Sequence, residues 1–242
     1  MVFRHIVGSS VAAIAICLCA LPAPAQHNVT INVDVVKSAN QGKKVAGDFQ
    51  NVAVWLDPVD SPAAAPVTST QSSATIIQKG KMFEPHVTIV RRGSYISFPN
   101  QDPFFHNVFS LYNGKRFDLG LYEAGTSKSI RFDRPGVSYL FCNIHEDMSA
   151  IVVAVDTLYH GISDHAGKIE IAGVPDGRYT LHVFYEKSTA EELKSLDRTV
   201  TISPAAHAID PIHVVASPEV TLTHKNKYGE EYVPPPASGY GP

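Results

Sequence analysis

Cysteine is scarce in this chain: only three occur among 242 residues, and two of them, Cys17 and Cys19, sit inside the apolar run Val11–Leu21. That run is too short to span a bilayer as a stable helix, and no other stretch approaches the roughly 18 apolar residues a membrane helix needs. Stable membrane insertion is therefore not expected. Arg4 gives the run a positive start and Ala23-Pro24-Ala25 supplies an A-x-A cleavage site, so residues 1–25 read as a secretory signal peptide. Paired arginines are missing, which excludes the twin-arginine route. Ile16 and Leu18 precede the two cysteines where a lipid-modified cysteine follows a small residue. Export in unfolded form to the periplasm, or to the outside of a single-membrane host, is the expectation. Basic blocks are missing too. Twenty Lys and Arg stand against 23 Asp and Glu for a net charge of −3, so nucleic acid is not an expected partner. No internal repeat and no His-x-His pair occurs.

Cleavage behind Ala25 leaves a single cysteine, Cys142, in an exported protein. It cannot form an internal disulfide, so it is a reactive thiol, an intermolecular partner or a metal ligand. An exposed, unmetallated thiol is open to oxidation, and coordination or deep burial removes that hazard. Its neighbours favour coordination. The segment Cys142-Asn-Ile-His145-Glu-Asp-Met148 carries a soft thiolate, an imidazole and a thioether, a donor set that suits copper. Two His and one Cys with a weak axial Met make a blue-copper site, and His106 in Phe105-His106-Asn107-Val108-Phe109 is the available second histidine.

The chain after residue 25 reads as all-β. Val29–Val35 alternates apolar and polar with period two, and short β-rich runs follow at Val52–Leu56, Thr75–Gln78, Val87–Val90 and Tyr95–Phe98. Further runs lie at His106–Phe109, Ser129–Phe132, Val137–Phe141 and Ile151–Val155, punctuated by Arg92-Gly93, Asn113-Gly114 and Pro135-Gly136. Such a series of short strands predicts a sandwich or barrel. Residues 57–73, rich in Pro, Ala, Ser and Thr, read as a surface loop within a first domain at 26–155. A boundary is expected near Asp156-Thr157. Beyond it Ile162–Asp164, Lys168–Ile171, Tyr179–Tyr185, Thr199–Ile202 and Ile212–Val215 form a smaller β-unit at 156–215, with one short helix at Thr189–Ser195. Residues 216–242, rich in Pro, Gly and Tyr, are expected to be a disordered or loosely attached tail.

Cys-x2-His-x2-Met with an upstream His-Asn resembles the cupredoxin family, in particular its plastocyanin/amicyanin-like members. The stretch Phe83–Val155 is also similar to exported proteins of the methylamine-utilisation type, through Phe83, Pro85, Val87, Gly93, Phe98-Pro-Asn-Gln-Asp102 and His106–Ser110. That family commonly places proline after the loop histidine, where this chain has Glu146. The resemblance implies a Greek-key sandwich binding one type 1 copper per chain. It implies His106, Cys142 and His145 as ligands and Met148 as axial ligand; Glu146 or Met82, read from the sequence alone, is the fallback axial donor. It also implies Asn107 as a residue tying the two ligand segments together, and Phe104, Phe105, Phe109 and Phe141 as walls against water. The second unit resembles the carboxypeptidase regulatory-like, or transthyretin-like, β-sandwich, through Gly167, Ile169, Ile171, Gly173-Val-Pro-Asp-Gly177, Tyr179 and Leu181.

The expected function is single-electron transfer between Cu(I) and Cu(II), without enzymatic activity. Redox proteins such as a dehydrogenase or a c-type cytochrome are the expected partners. Copper storage or delivery through the same ligands, and a structural β-module with a vestigial site, stay open as alternatives. A multicopper oxidase lacks its His-x-His pairs, a binuclear copper–thiolate centre lacks its second cysteine, and a cysteine protease lacks its signature. A Cys-His-His zinc site is conceivable, but the thioether favours copper. The remaining histidines (His86, His160, His165, His182, His207, His213 and His224) read as surface or structural residues.

Overall fold

Strands with one buried face form where apolar side chains recur at every second position, and β1 (Gln26–Lys37) shows this plainly: Val29, Ile31, Val33 and Val35 are buried and the residues between them are not. A computed structural model describes residues 25–37, 49–60, 73–111, 114–220 and 223–232. Residues 1–24 of the expected signal peptide at 1–25, most of the 57–73 loop and the end of the tail lie outside the described residues. After β1 come β2 (Ala53–Pro58), β3 (Ser73–Thr75), β4 (Ile77–Lys79), β5 (Met82–Glu84), β6 (Val87–Arg91), β7 (Tyr95–Pro99) and β8 (His106–Ser110). There follow β9 (Phe117–Tyr122), β10 (Ser127–Arg131), β11 (Gly136–Phe141), β12 (Ser149–Val155) and β13 (His160–Ile162). The series ends with β14 (Lys168–Pro175), β15 (Gly177–Phe184), helix α1 (Ala190–Ser195), β16 (Arg198–Ile202) and β17 (Ala208–Ala216). The all-β expectation holds. The short helix stands where predicted, with Thr189 and Glu192 forming a capping box.

Two β-sandwiches result. In the first, a sheet of order β6-β12-β11-β8-β9 faces a sheet of order β10-β7-β3. The core between them contains Ile96, Phe98, Val108, Phe132, Leu140, Cys142, Met148 and Val152. Sequential hairpins (β8–β9 and β11–β12) alternate with non-sequential neighbours, and β6 runs parallel to β12, as Greek-key connections produce. The second sandwich pairs a β14-β1-β17 sheet with a β13-β2-β15-β16 sheet over Val29, Ile31, Val54, Leu56, Leu181 and Val214.

This pairing corrects the expected division of the chain. Strands β1 and β2 belong by hydrogen bonding to the second sandwich: β1 pairs with β14 and β17, and β2 with β13 and β15. The boundary after Val155 does separate two sandwiches, but the first occupies 73–155 and interrupts the second. Period-two alternation reports that a strand has a buried face; it carries no information about which distant strand covers it. Gly167 shows how closely β1 fits there. Its φ is +81° and a Cβ would lie 2.2 Å from the Val33 carbonyl oxygen.

The two sandwiches meet through β12. Its run Ser149–Val155 lacks clean alternation because both faces are covered. Ala150, Val152 and Ala154 point into the first core, whereas Ile151, Val153 and Val155 pack with Ala53 and Phe184 of the second sandwich, flanked by Trp55 and Tyr139. Polar bonds flank this seam. His86 Nε2 meets Glu186 Oε2 at 2.6 Å while its Nδ1 lies 3.2 Å from the Ser149 carbonyl. Arg92 Nε meets Asp156 Oδ1 at 2.6 Å.

The bond to Glu186 raises the His86 pKa against the opposing pull of burial. Burial raises Glu186, but the bond to His86 and the charges of His86 and Lys187 together outweigh it and leave that carboxyl below its ordinary value. A raised histidine stabilises fully below its unfolded value and loses that contribution as pH climbs through the folded one. A lowered carboxylate does the reverse at acid pH. The pair therefore contributes most between the ordinary values of 4.5 and 6.5. Glu186→Gln should lower the unfolding free energy by about 1 kcal/mol in that window, given partial exposure. The deficit should shrink above it, and urea titrations of both proteins across pH check this.

Candidate metal centre

Strands β11 and β12 are hydrogen-bonded neighbours, with Phe141 opposite Ser149. Residues 142–148 are therefore the loop of a hairpin whose ends are fixed by the sheet. The Cys142 N–H donates to the Met148 carbonyl at 3.1 Å, and the Met148 N–H donates to the His145 carbonyl at 3.2 Å. On its other side β11 pairs antiparallel with β8 through Phe141 and Phe109, which brings His106, the first residue of β8, to the same end of the sheet.

Three side chains converge there. The His106 Nδ1 lies 3.8 Å from Cys142 Sγ, and the His145 Nδ1 lies 3.5 Å from it. The three donor atoms all fall within 4.8 Å of one another, and this is the only such His/Cys/carboxylate group among the described residues. A metal ion about 2.0 Å from nitrogen and about 2.3 Å from sulfur, with donors about 120° apart, separates N from S by about 3.8 Å. The spacing thus fits a shared ion without rearrangement. Met148 is fully buried in the same core cluster as Cys142. Glu146 and Met82, the fallback donors, are exposed, Met82 to 54%.

The environment suits metal-binding protonation states. Burial and the adjacent His106 press the His145 pKa down to about 4, so its ring is neutral near pH 7 and offers a lone pair. Burial pushes the Cys142 thiol up, while the backbone N–H groups of Ile144, Asn107 and His145 donate to its sulfur and oppose that rise. Three donors aimed at a buried sulfur, with no acceptor role to fill, are arranged for a thiolate. His106 is fully buried and its Nε2 donates to Asp102 Oδ2 at 2.8 Å, which leaves Nδ1 as the inward-facing nitrogen.

Asp102 is the functional residue that sequence reasoning quoted without giving it a task. Its carboxylate also accepts the Gly80 and Lys81 N–H groups at 2.7 and 2.9 Å. Burial raises its pKa, but the bonds from Lys81, His106 and Gly80 win and hold it below the ordinary carboxylate range. Asn100 shapes the turn beneath it, accepting the Asp102 N–H at 3.0 Å and donating to the Phe104 carbonyl at 2.8 Å. The motif Phe98-Pro-Asn-Gln-Asp102 is thus the scaffold of one histidine of the group that could hold a metal.

Two expectations about the surroundings differ from the structure. The Asn107 side chain does not span the ligand segments: its Nδ2 donates to Asp118 Oδ1 at 2.7 Å, and its Oδ1 is buried without a hydrogen-bond partner. Among the four phenylalanines, Phe104 walls the site, with its ring 5.2 Å from His106 and 5.7 Å from His145. Phe105 is 53% exposed. Phe109 and Phe141 form a cross-strand pair on the opposite face of the sheet, since strand alternation turns them away when Val108 and Leu140 face the core. The tail differs as well. Residues 223–232 are docked against that opposite face and the ligand loop, and His224, Lys227 and Tyr232 all bond there. The run Thr223–Tyr232 contains no proline, which distinguishes it from the Pro-rich end, and that was the available signal.

No protein-family model matches the chain, and no curated protein matches it. Solved structures do. A purple cupredoxin from Nitrosopumilus maritimus aligns with 34% of this chain and 98% of its own, at 24% identity and a TM-score of 0.31. A Cu-containing nitrite reductase from Thermus scotoductus aligns with 42% of this chain and 26% of its own, at 23% identity and a TM-score of 0.35. A methionine-to-leucine mutant of amicyanin aligns with 42% of this chain and 97% of its own, at 17% identity and a TM-score of 0.32.

Asp102→Ala should leave His106 Nε2 and two backbone donors without their acceptor. A loss of about 2 kcal/mol in unfolding free energy is expected for the metal-free protein. Urea denaturation of the metal-free chain measures it, and a loss under a few tenths would show that Asp102 is not holding His106.

Proposed function

We propose that the chain is an exported copper protein that carries single electrons between redox partners. The observation that carries this reading is the convergence of His106 Nδ1, Cys142 Sγ and His145 Nδ1 at 3.5 and 3.8 Å around the sulfur, with a buried methionine closing the same loop. The His₂Cys set with a nearby thioether favours copper over zinc, since soft thioether donors suit Cu(I). Met148 is the axial ligand in this reading. When bound, copper supplies a one-electron Cu(I)/Cu(II) couple.

The residues around it do the rest. Asp102 fixes the tautomer and orientation of His106. The three N–H groups on Cys142 stabilise its negative charge. Phe104 and the core keep water from the buried side. The half-buried His145 ring is the ligand nearest solvent and so the natural point of contact for a partner such as a dehydrogenase or a c-type cytochrome. In this reading the protein is a carrier, not an enzyme. Among the described residues no helix is long and apolar enough to cross a membrane. The signal-like residues 1–25 support a periplasmic location. The second sandwich is read as a carboxypeptidase regulatory-like module that spaces or docks the copper unit.

Addition of one equivalent of Cu(II) to the purified protein should produce an intense thiolate-to-copper absorption and a type 1 EPR signal. Cys142→Ser should abolish both, whereas Met148→Leu should keep the band and shift its position. Copper held at about 1,000 times its dissociation constant should add about 4 kcal/mol to stability. Folded protein that shows neither band nor stabilisation would sink the reading. Ready transfer of copper to an acceptor protein, without reversible reduction, would instead identify storage or delivery.

A further inference from the structure

Within the loop Cys142–Met148 itself, two backbone bonds close the hairpin. Something else in this chain holds the loop from outside. His224 stacks on Phe141, ring centroids 3.7 Å apart and planes 23° from parallel, and its Nε2 donates to the Glu146 carbonyl at 2.8 Å. The Lys227 N–H donates to Asn143 Oδ1 at 2.9 Å. The Tyr232 hydroxyl donates to the Cys142 carbonyl at 2.7 Å. Three residues of one short segment thus engage three residues of the loop, each beside or at a proposed ligand.

The same segment closes a longer connection. The Lys227 ammonium reaches Asp118 Oδ2 at 2.7 Å, while Asp118 Oδ1 accepts the Asn107 side chain at 2.7 Å. Asn107 follows His106 and Asn143 follows Cys142. Besides the Asn107 N–H on the Cys142 sulfur, a second link between the two segments, which the Asn107 side chain does not make directly, therefore runs Asn107–Asp118–Lys227–Asn143. It includes the C-terminal segment as an indispensable member. The segment is itself ordered by local bonds. Asn226 Oδ1 accepts the Tyr228 and Glu230 N–H groups at 2.9 and 3.0 Å, and the Asn226 N–H donates to the Glu230 carbonyl at 2.9 Å.

We propose that residues 223–232 are a strap that positions the metal-ligand loop, with His224, Lys227 and Tyr232 as its positioning residues. The strap restrains Cys142–Glu146 before metal binds and slows the loop opening that metal release requires. The loop restraint stands on the geometry alone; the effect on metal rests on the copper reading above.

The test uses the full chain. In the metal-free protein, amide hydrogen exchange at Cys142 and Met148 should be about tenfold faster in a His224→Ala, Lys227→Met double variant than in the wild type. Exchange at Leu181, in the other sandwich, should be unchanged. Lys227→Arg, which keeps the charge facing Asp118, should retain most of the protection. Tyr232→Phe deletes one hydroxyl and keeps the ring, so it tests the same point in the same direction if the double variant does not fold. Unchanged exchange at Cys142 and Met148 in these variants overturns the strap. With copper bound, release to a chelator should be about tenfold faster in the double variant, and the thiolate absorption should shift. Unchanged release and spectrum, with faster exchange, would overturn the metal-positioning role. A wild type that takes up no copper would overturn the copper reading, and the exchange comparison would still decide the strap.

Discussion

Phe141 lies opposite Phe109 across β11 and β8, and the metal centre depends on that register. With those two rings directed away from the core, alternation directs Val108, Leu140 and Cys142 into it, and His106 comes to rest across from the loop that leaves β11. A slip by a single residue exchanges the two faces of β11. Cys142 would then leave the core, and its sulfur would lose the histidines and the three backbone donors together. The register is secured on both sides. Phe109, Phe141 and His224 form a stack on the outer face, and Leu140, Val108 and Met148 are locked into the inner one. Aromatic packing on one face thus decides where the three donor side chains converge on the other.

Within that frame the two histidines are held differently. His106 is fully buried and anchored by a carboxylate that is itself bound to two backbone N–H groups, so its ring has one available orientation. His145 has no such anchor; its Nδ1 faces the sulfur, and its ring rests between Phe104 and His106 at the surface. The rigid ligand comes from a strand and the more exposed one from a loop. Restraint of the loop's backbone consequently matters more than restraint of its side chains. The hairpin bonds at Cys142 and Met148 act from within, and the bonds from His224, Lys227 and Tyr232 act from without.

Much of the site was legible because its signals are local. A lone cysteine, His-x2 spacing and a nearby methionine lie in one loop, and strand patterns on both sides of it predict a hairpin. His106 was legible because an apolar strand begins at that residue. What was not legible depends on pairing. β9 escaped notice because it is an edge strand with a register shift against β8 and a glycine at positive φ, so its residues do not alternate cleanly. Asp102 was visible only as part of a motif, since its partners Gly80, Lys81 and His106 come from two separate segments. The strap was hidden for a related reason. Composition reports whether a segment can build its own core, and a segment that borrows a surface already built needs none.

The same distinction explains the interrupted second sandwich and has a consequence for folding. Strands β1 and β2 precede the first sandwich, yet their partners β13, β14, β15 and β17 follow it. The pairing of Thr30 with Ala208 and of Val29 with Ile171 closes loops that contain the whole first sandwich. Loop-closure entropy is smaller when the intervening chain has already collapsed into a unit whose ends lie close together. The ends of the first sandwich meet this condition, since β2 and β13, which flank it, are hydrogen-bonded neighbours. The order in which the parts become stable follows: the 73–155 sandwich forms from the more local contacts, and the second sandwich then closes around its ends. The apolar face of β12 sits where the two meet, so completion of the second sandwich covers the back of the very strand on which the ligand loop ends.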